Sequence, residues 1–204
     1  MKEFLALNEE KQTAILNAAL ECFGKHGYDK ASVNDIAKAA HISKASVFQY
    51  FGNKRNLYCY LIEYSYKTMA EALDKSSLDT ETDLFDRILA ASLLKIEALK
   101  KHPALSLFIS GVWSESSAEV SDLIAEVVER SNAFRNDLVL REEDTEKFKR
   151  PEDAQTVLQI LVLMAEGTAS RYRNTGDFAF DELTEEFERA LAALRRNFYK
   201  ETYL

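Results

Sequence analysis

The sequence predicts an all-α chain in which three short helices near the N-terminus precede a larger helical body. Three observations predict it. Only six glycines and two prolines occur in 204 residues, so long helices with short connections account for the chain better than many strands do. Hydrophobic residues make up 47% and charged residues 29%, a globular balance with enough apolar side chains for a sizeable core. Apolar positions recur at helical spacing almost throughout, and no stretch alternates at the period of a strand; Phe178-Ala179-Phe180 is too short.

Each element can be justified in turn. Asn8 is an N-cap for a first helix whose Ile15, Ala18, Ala19, Cys22 and Phe23 share one face. Gly27 ends it, because glycine accepts the left-handed conformation that closes a helix. Ser32-Val33-Asn34-Asp35 has the form of a capping box, with Asp in place of Glu, and starts a second helix with Val33, Ile36, Ala37 and Ala40 inward. After a turn at His41-Ile42, Ser43 caps a third short helix that runs to about Tyr50. Gly52 breaks the chain, and Asn53 caps a fourth helix running towards Lys75.

Beyond it, Thr80 is expected to cap a helix through Lys101. That helix stops at His102-Pro103, since a residue before proline is driven out of helical geometry. A short apolar piece, 104–112, precedes a helix over about 119–140 with Leu123, Val127, Phe134 and Leu138 inward. The charged stretch 141–150 reads as a solvated connection. Pro151 suits the first turn of a helix extending to about Asn174. Gly176 punctuates the chain, and Asp181 starts a last helix with Leu183, Phe187, Ala190, Leu191, Leu194 and Phe198 on one face.

The formal net charge of -8 argues at first against a nucleic-acid partner, but the charge is unevenly spread. Residues 1–55 hold 8 Lys and Arg against 6 Asp and Glu; the remainder hold 18 against 28. An acidic body repels phosphates, so any contact with DNA falls to the N-terminal segment. Cys22 and Cys59 have no metal-ligand spacing and form no disulfide framework. Cys22, on an apolar face, reads as a buried reduced thiol, with a redox switch as the alternative. No secretory signal is visible, and the longest apolar run, ending at Ala165, is far below the roughly 20 residues of a membrane span. The chain is therefore expected to be cytoplasmic, with no membrane partner.

Residues 32–51, SVNDIAKAAHISKASVFQYF, have the shape of a helix-turn-helix. That function needs two short helices locked at a fixed angle, so that the second can lie in a major groove with its N-terminal residues at base edges. Ile36, Ala37, Ala40, Ile42 and Val47 supply the lock. Outward on the second helix, Lys44 and Phe48 lie one turn apart, flanked by Ala45 and Gln49. This face offers a cation for phosphate, an amide for a base edge and little bulk against close approach. Ser32, Ser43 and Ser46 add hydroxyls, and Tyr50 can donate to a phosphate. An exposed aromatic such as Phe48 suggests a partner surface.

The stretch from Ile15 to Leu61 resembles the DNA-binding domain of the TetR/AcrR family of transcriptional regulators. The pattern runs in order through Ala19 and Phe23, Gly27-Tyr28, Ser32-Val33, Asp35-Ile36-Ala37, Ser43-Lys44 and Tyr50-Phe51, and closes with Lys54 and Leu57. Two positions depart from it. His41 stands where the family commonly has glycine, and His tolerates left-handed geometry. Phe48 stands where tyrosine is usual, which removes a hydroxyl. The resemblance implies that Ser32, Ser43, Lys44, Ala45, Ser46, Phe48, Tyr50 and Lys54 contact DNA, with Lys54 on phosphate. It also implies a helix-turn-helix domain over 1–55 and a ligand-sensing and dimerisation domain over 56–204. The expected function is a ligand-responsive regulator, a repressor, that binds a two-half-site operator on double-stranded DNA as a homodimer and is released by a small-molecule effector.

In the body, the run Val157–Ala165 is apolar nearly all the way round and must be covered on every side. A two-fold interface using Leu158, Leu161, Val162, Phe187, Leu191, Leu194 and Phe198 is one reading; a helix central to its own core is the other. Phe108, Trp113, Phe134, Met164, Glu166 and Tyr172 are candidate pocket residues, since pockets are apolar with a few placed polar groups; each also fits plain core or surface. No cofactor or metal is expected, and no enzyme: His26, His41 and His102 lack metal spacing, and no glycine-rich phosphate loop or nucleophile elbow occurs. An N-terminal corner that binds a protein instead of DNA is the remaining alternative.

Overall fold

Side-chain caps set where the N-terminal helices start. The computed structural model describes residues 1–73, 78–175 and 180–204, with side chains for all of these except 169–175. The chain opens with α1 (Lys2–Leu5), followed by α2 (Glu9–Lys30), capped by the Asn8 carboxamide, which accepts from the Lys11 N–H at 3.0 Å. Gly27 interrupts α2 with φ 71°, the left-handed break expected there. The helices α3 (Val33–Ala39) and α4 (Lys44–Phe51) follow, then α5 (Lys54–Ala72), whose first turn is capped by Asn53 Oδ1 accepting from Asn56 N–H at 2.8 Å.

Next come α6 (Leu84–Lys101), α7 (Pro103–Val112), α8 (Ser121–Val139), α9 (Asp153–Thr175) and α10 (Phe180–Phe198), with 3-10 turns at Glu142–Lys147 and Glu201–Tyr203. The all-helical expectation holds: among the described residues the only β pairing is an isolated bridge between Phe148 and Tyr199. No described helix is long and apolar enough to cross a membrane. Gly176, Phe178 and Ala179 lie outside the described residues.

Two compact units emerge, one of Met1–Ala70 with Leu99–Arg130, the other of Glu71–Ala98 with Ser131–Leu204. This spatial division differs from a boundary near residue 55, because residues 99–130 pack with the N-terminal helices. The first unit is built on rings. Phe23, Tyr28, Tyr58 and Phe108 form a chain of edge and stacked contacts with centroids 5.0–6.1 Å apart, all of them buried. Against them α2 and α7 meet at a glycine seam. A methyl placed on Gly24 would lie 2.8 Å from the Leu107 side chain and 2.9 Å from its backbone, and one placed on Gly111 would lie 3.4 Å from Gly24 Cα.

The second unit buries charge as well as apolar surface. Phe85, Phe148 and Tyr199 form a buried ring cluster beside Leu84, Ile88, Val157 and Leu158. Arg87 and Asp144, both fully buried, form an ion pair. Arg87 also donates to the carbonyls of Val139 (3.0 Å) and Glu81 (2.7 Å), while Asp144 accepts from the Arg141 N–H (3.1 Å) and from Lys147 Nζ (3.4 Å). The stretch 141–150 is thus not the plain solvated connection that its composition suggests. Two of its residues, Asp144 and Phe148, are wholly inside, because partners distant in the sequence compensate the charge and cover the ring. A second correction concerns α6. Its cap is Asp83, whose Oδ1 accepts from the Phe85 N–H at 2.9 Å, and not Thr80.

Candidate nucleic-acid interface

The corner between α3 and α4 is fixed locally. Ser32 Oγ accepts from the Asp35 N–H at 3.4 Å, and Ser43 Oγ accepts from the Ser46 N–H at 3.0 Å. Between the two caps, His41 adopts φ 54°, and the Ile42 N–H reaches back to the Ala37 carbonyl at 3.0 Å. A residue in left-handed geometry turns the chain sharply, so α3 ends and α4 departs in a new direction. Ile36, Ala37, Ala40, Val47 and Phe51 are buried beneath, which ties both helices to one core.

The outward face of α4 carries the residues singled out from the sequence. Ser43, Lys44, Ala45, Phe48 and Gln49 are exposed, and Ser46 and Tyr50 are half-buried. Phe48 is 39% exposed, with Lys44 Nζ 5.6 Å from its ring centroid, so a cation lies over an apolar ring that reaches the surface. The Ser43 and Ser46 hydroxyls are 2.8 Å apart at the start of α4, on the helix end that favours anions. Ser32 is half-buried at the start of α3. Lys54 has a different setting: its ammonium donates to the Asp29 carbonyl at 3.2 Å and sits 4.6 Å from the Tyr28 ring centroid. In this conformation it ties the start of α5 to the end of α2.

Sequence reasoning missed two supports of this corner. The first is α1, too short to show a period: its Phe4 is fully buried, with ring centroids 4.9–6.2 Å from Phe51, Tyr60 and Tyr50. The second is a polar clamp from residues 115–122. Glu115 accepts from the Tyr28 N–H at 2.6 Å, Glu119 from the Tyr28 hydroxyl at 2.8 Å, and Asp29 from the Ser117 hydroxyl at 2.7 Å. Arg55 donates to the Glu119 carbonyl and to Asp122 at 2.5 Å. Burial, then the Glu119 bond, pushes the Tyr28 phenol well above its ordinary range, so it stays protonated and donating. The Arg55 bond holds the Asp122 carboxyl below the usual carboxylate range. Cys22 and Cys59 are half-buried, and burial raises both thiols, which disfavours the thiolate that redox chemistry needs.

The candidate residues of the body are scattered. Phe108 lies in the ring core of the first unit, and Trp113, in the same unit, is 39% exposed. Phe134, Met164 and Glu166 are half-buried in the second unit, and the Tyr172 side chain lies outside the described residues. Of the residues considered for pairing, Leu158, Leu161 and Leu191 face the second unit's own core, whereas Val162, Phe187, Leu194 and Phe198 are half-buried. Ile160 and Leu163, not singled out individually, are 39% and 59% exposed on α9.

Residues 15–60 match the profile of the bacterial regulatory proteins of the tetR family. A curated relative, the HTH-type transcriptional repressor AcnR of Corynebacterium glutamicum, is 36% identical over 64 residues, 31% of this chain and 34% of that protein's own length. The match therefore spans about a third of that relative. An HTH-type transcriptional repressor of Mycobacterium tuberculosis is 28% identical over 138 residues, covering 63% of this chain and 71% of that protein. Among solved structures, a TetR family transcriptional regulator from Chloroflexus aurantiacus shares the fold with a TM-score of 0.69 at 19% identity, over 98% of this chain and 99% of that one. The FadR transcriptional regulator of Bacillus subtilis, solved in complex with stearoyl-CoA, gives 0.72 at 17% identity over 88% and 96%.

Proposed function

We propose, from the premise that this chain belongs to the tetR family of bacterial regulatory proteins, that it is a cytoplasmic transcriptional repressor which grips a two-half-site operator as a homodimer and lets go when a small molecule binds its body. The observation that carries this reading is the outward face of α4. A short, doubly capped helix, rigidly backed by buried Val47 and Phe51, presents Lys44, Ala45, Phe48 and Gln49 to the outside. Lys44 and the serine hydroxyls of Ser43 and Ser46 take phosphate, Gln49 reads a base edge, and Phe48 packs on sugar or a thymine methyl. Ser32 and Tyr50 add phosphate contacts from the flanks. Lys54 joins them by exchanging the Asp29 carbonyl for a phosphate oxygen.

Pairing is supported by the exposed apolar residues Ile160 and Leu163 on α9, next to half-buried Val162 and, on α10, Phe187, Leu194 and Phe198. A second copy covering them sets two reading helices about one DNA turn, roughly 34–36 Å, apart. Residues 1–55 form the reading domain in this scheme and residues 56–204 the sensing and pairing domain. The stearoyl-CoA held by the Bacillus subtilis neighbour makes an amphiphilic effector the first class to try. Release is a population shift, and its size is the effector's preference for the conformation that does not bind DNA.

The test is selection of duplexes from a random pool on the purified chain, followed by anisotropy titrations at several salt concentrations. Lys44→Ala is expected to weaken every duplex alike and to reduce the salt slope by about one. Gln49→Ala is expected to relax base preference at one position by about 1–3 kcal/mol. A strictly monomeric protein that enriches no duplex at low salt would overturn the reading.

A further inference from the structure

We propose that the second unit holds a binding site for an anionic group, a carboxylate or a phosphate, carried on an apolar chain, with Lys95 and Arg135 as its cationic partners. The proposal rests on the reading above that this unit receives an effector.

Arg135, on α8, is an incompletely satisfied guanidinium. Its Nη1 donates to Asn132 Oδ1 at 3.0 Å and its Nη2 to Asn136 Oδ1 at 3.4 Å, both neutral acceptors on the same helix. Its Nε is buried and has no hydrogen-bond partner among the described residues. Glu166, on α9, influences it through charge but forms no salt bridge with it. Orphaned buried donors are rare, and one on a charged group is costlier than one on an amide.

Lys95, on α6, is its companion. Among the described residues its ammonium has neither a hydrogen bond nor an ion pair. Burial first, and the Arg135 charge second, pull it below the ordinary lysine range. The residue nevertheless keeps accessible surface. A lysine that burial acts on and that has no acceptor of its own carries an uncompensated charge. Two like charges that influence each other in such a place raise each other's cost, and the one carboxylate that acts on Arg135 touches neither.

An incoming anion removes the conflict. It accepts from the free Arg135 Nε and from the Lys95 ammonium, and charge-assisted bonds of this kind are the strong ones. The planar guanidinium fork suits carboxylate and phosphate alike. The apolar part of the ligand follows from the helices that carry the two cations: half-buried Leu94 on α6 and Phe134 on α8 pack against the second unit's apolar core. Such a mixture of apolar lining and few placed charges is what a ligand site requires.

The experiment is calorimetry on the full chain with decanoate, decyl phosphate and decanol, each below its micelle concentration, and with acetate and inorganic phosphate. Decanoate or decyl phosphate is expected to bind at least about tenfold tighter than decanol and than either small anion. The stronger of the two amphiphiles identifies the headgroup. Lys95→Met and Arg135→Gln are each expected to erase about tenfold of that advantage while leaving decanol unchanged, and Lys95→Arg to restore most of it. The comparison among ligands on the unmutated chain stands even where a variant fails to fold. Decanol binding as tightly as the anions, small anions binding as tightly as the amphiphiles, or both variants retaining full affinity for decanoate would each overturn the proposal. Anion binding that leaves affinity for the selected duplex untouched would keep the site and discard its role as effector site.

Discussion

The two units solve the problem of cohesion with different chemistry. The first relies on aromatic rings, a glycine seam and neutral helix caps, and its ionic contacts, such as Arg130 with Glu63 at 2.6 Å, stay near the surface. The second takes charges inside, in two contrasting ways. Arg87 has a carboxylate and two carbonyls, and is completely buried. Arg135 has two side-chain amides and a bare Nε, and beside it Lys95 has no partner among the described residues. A buried charge with every bond made belongs to the scaffold. One with a bond missing is where the anion proposed above would find its partner.

The sharpest way to break this contrast is Asp144→Ala. It strands Arg87 without a counter-charge and is expected to cost about 3–5 kcal/mol, whereas an Arg87→Met/Asp144→Leu double variant recovers most of the loss. Denaturant titration of the three proteins checks this, and a loss below about 1 kcal/mol in the single variant would place Asp144 among ordinary surface carboxylates. Next in size is the seam of the first unit. Gly24→Ala forces a methyl into the Leu107 backbone and is expected to destabilise by about 1–3 kcal/mol; an unchanged melting temperature would refute the close approach.

Ser43→Ala removes the N-terminal cap of α4. It is expected to cost about 1 kcal/mol of stability and to weaken duplex binding as well. A variant with full stability and full DNA affinity would show that the cap bond is not needed.

The smallest effect is one of pH. The folded-state pKa of Lys95 is depressed, so its cost is fully present below that value and is relieved as pH rises towards the unfolded value of 10.5. The unliganded protein is therefore expected to gain stability on mild alkalinisation, and Lys95→Met to flatten the rise. The Arg135 charge, which acts on Lys95, stays positive over this range because a guanidinium does not lose its proton there. Melting curves of the two proteins at successive pH values below 10 give the comparison. Parallel profiles for the two proteins would remove Lys95 from the enclosed charge pair.

By itself, the sequence determined the helical class and the corner between α3 and α4. Asn8, Ser32, Ser43 and Asn53 each cap a backbone N–H three residues on, and Gly27 and His41 each set their own φ. Such interactions close within a single turn, so residue type and order are enough to reveal them. Only the tertiary structure decided what joins distant residues: Phe4 against Phe51, Gly24 against Leu107, and Arg87 against Asp144, 57 residues away. Charged composition alone made 141–150 read as solvent-facing, because whether a charge can be buried depends on a partner that no local pattern contains. The same holds for Lys95 and Arg135: two cations forty positions apart look like independent surface residues until the fold brings their charges within reach of each other.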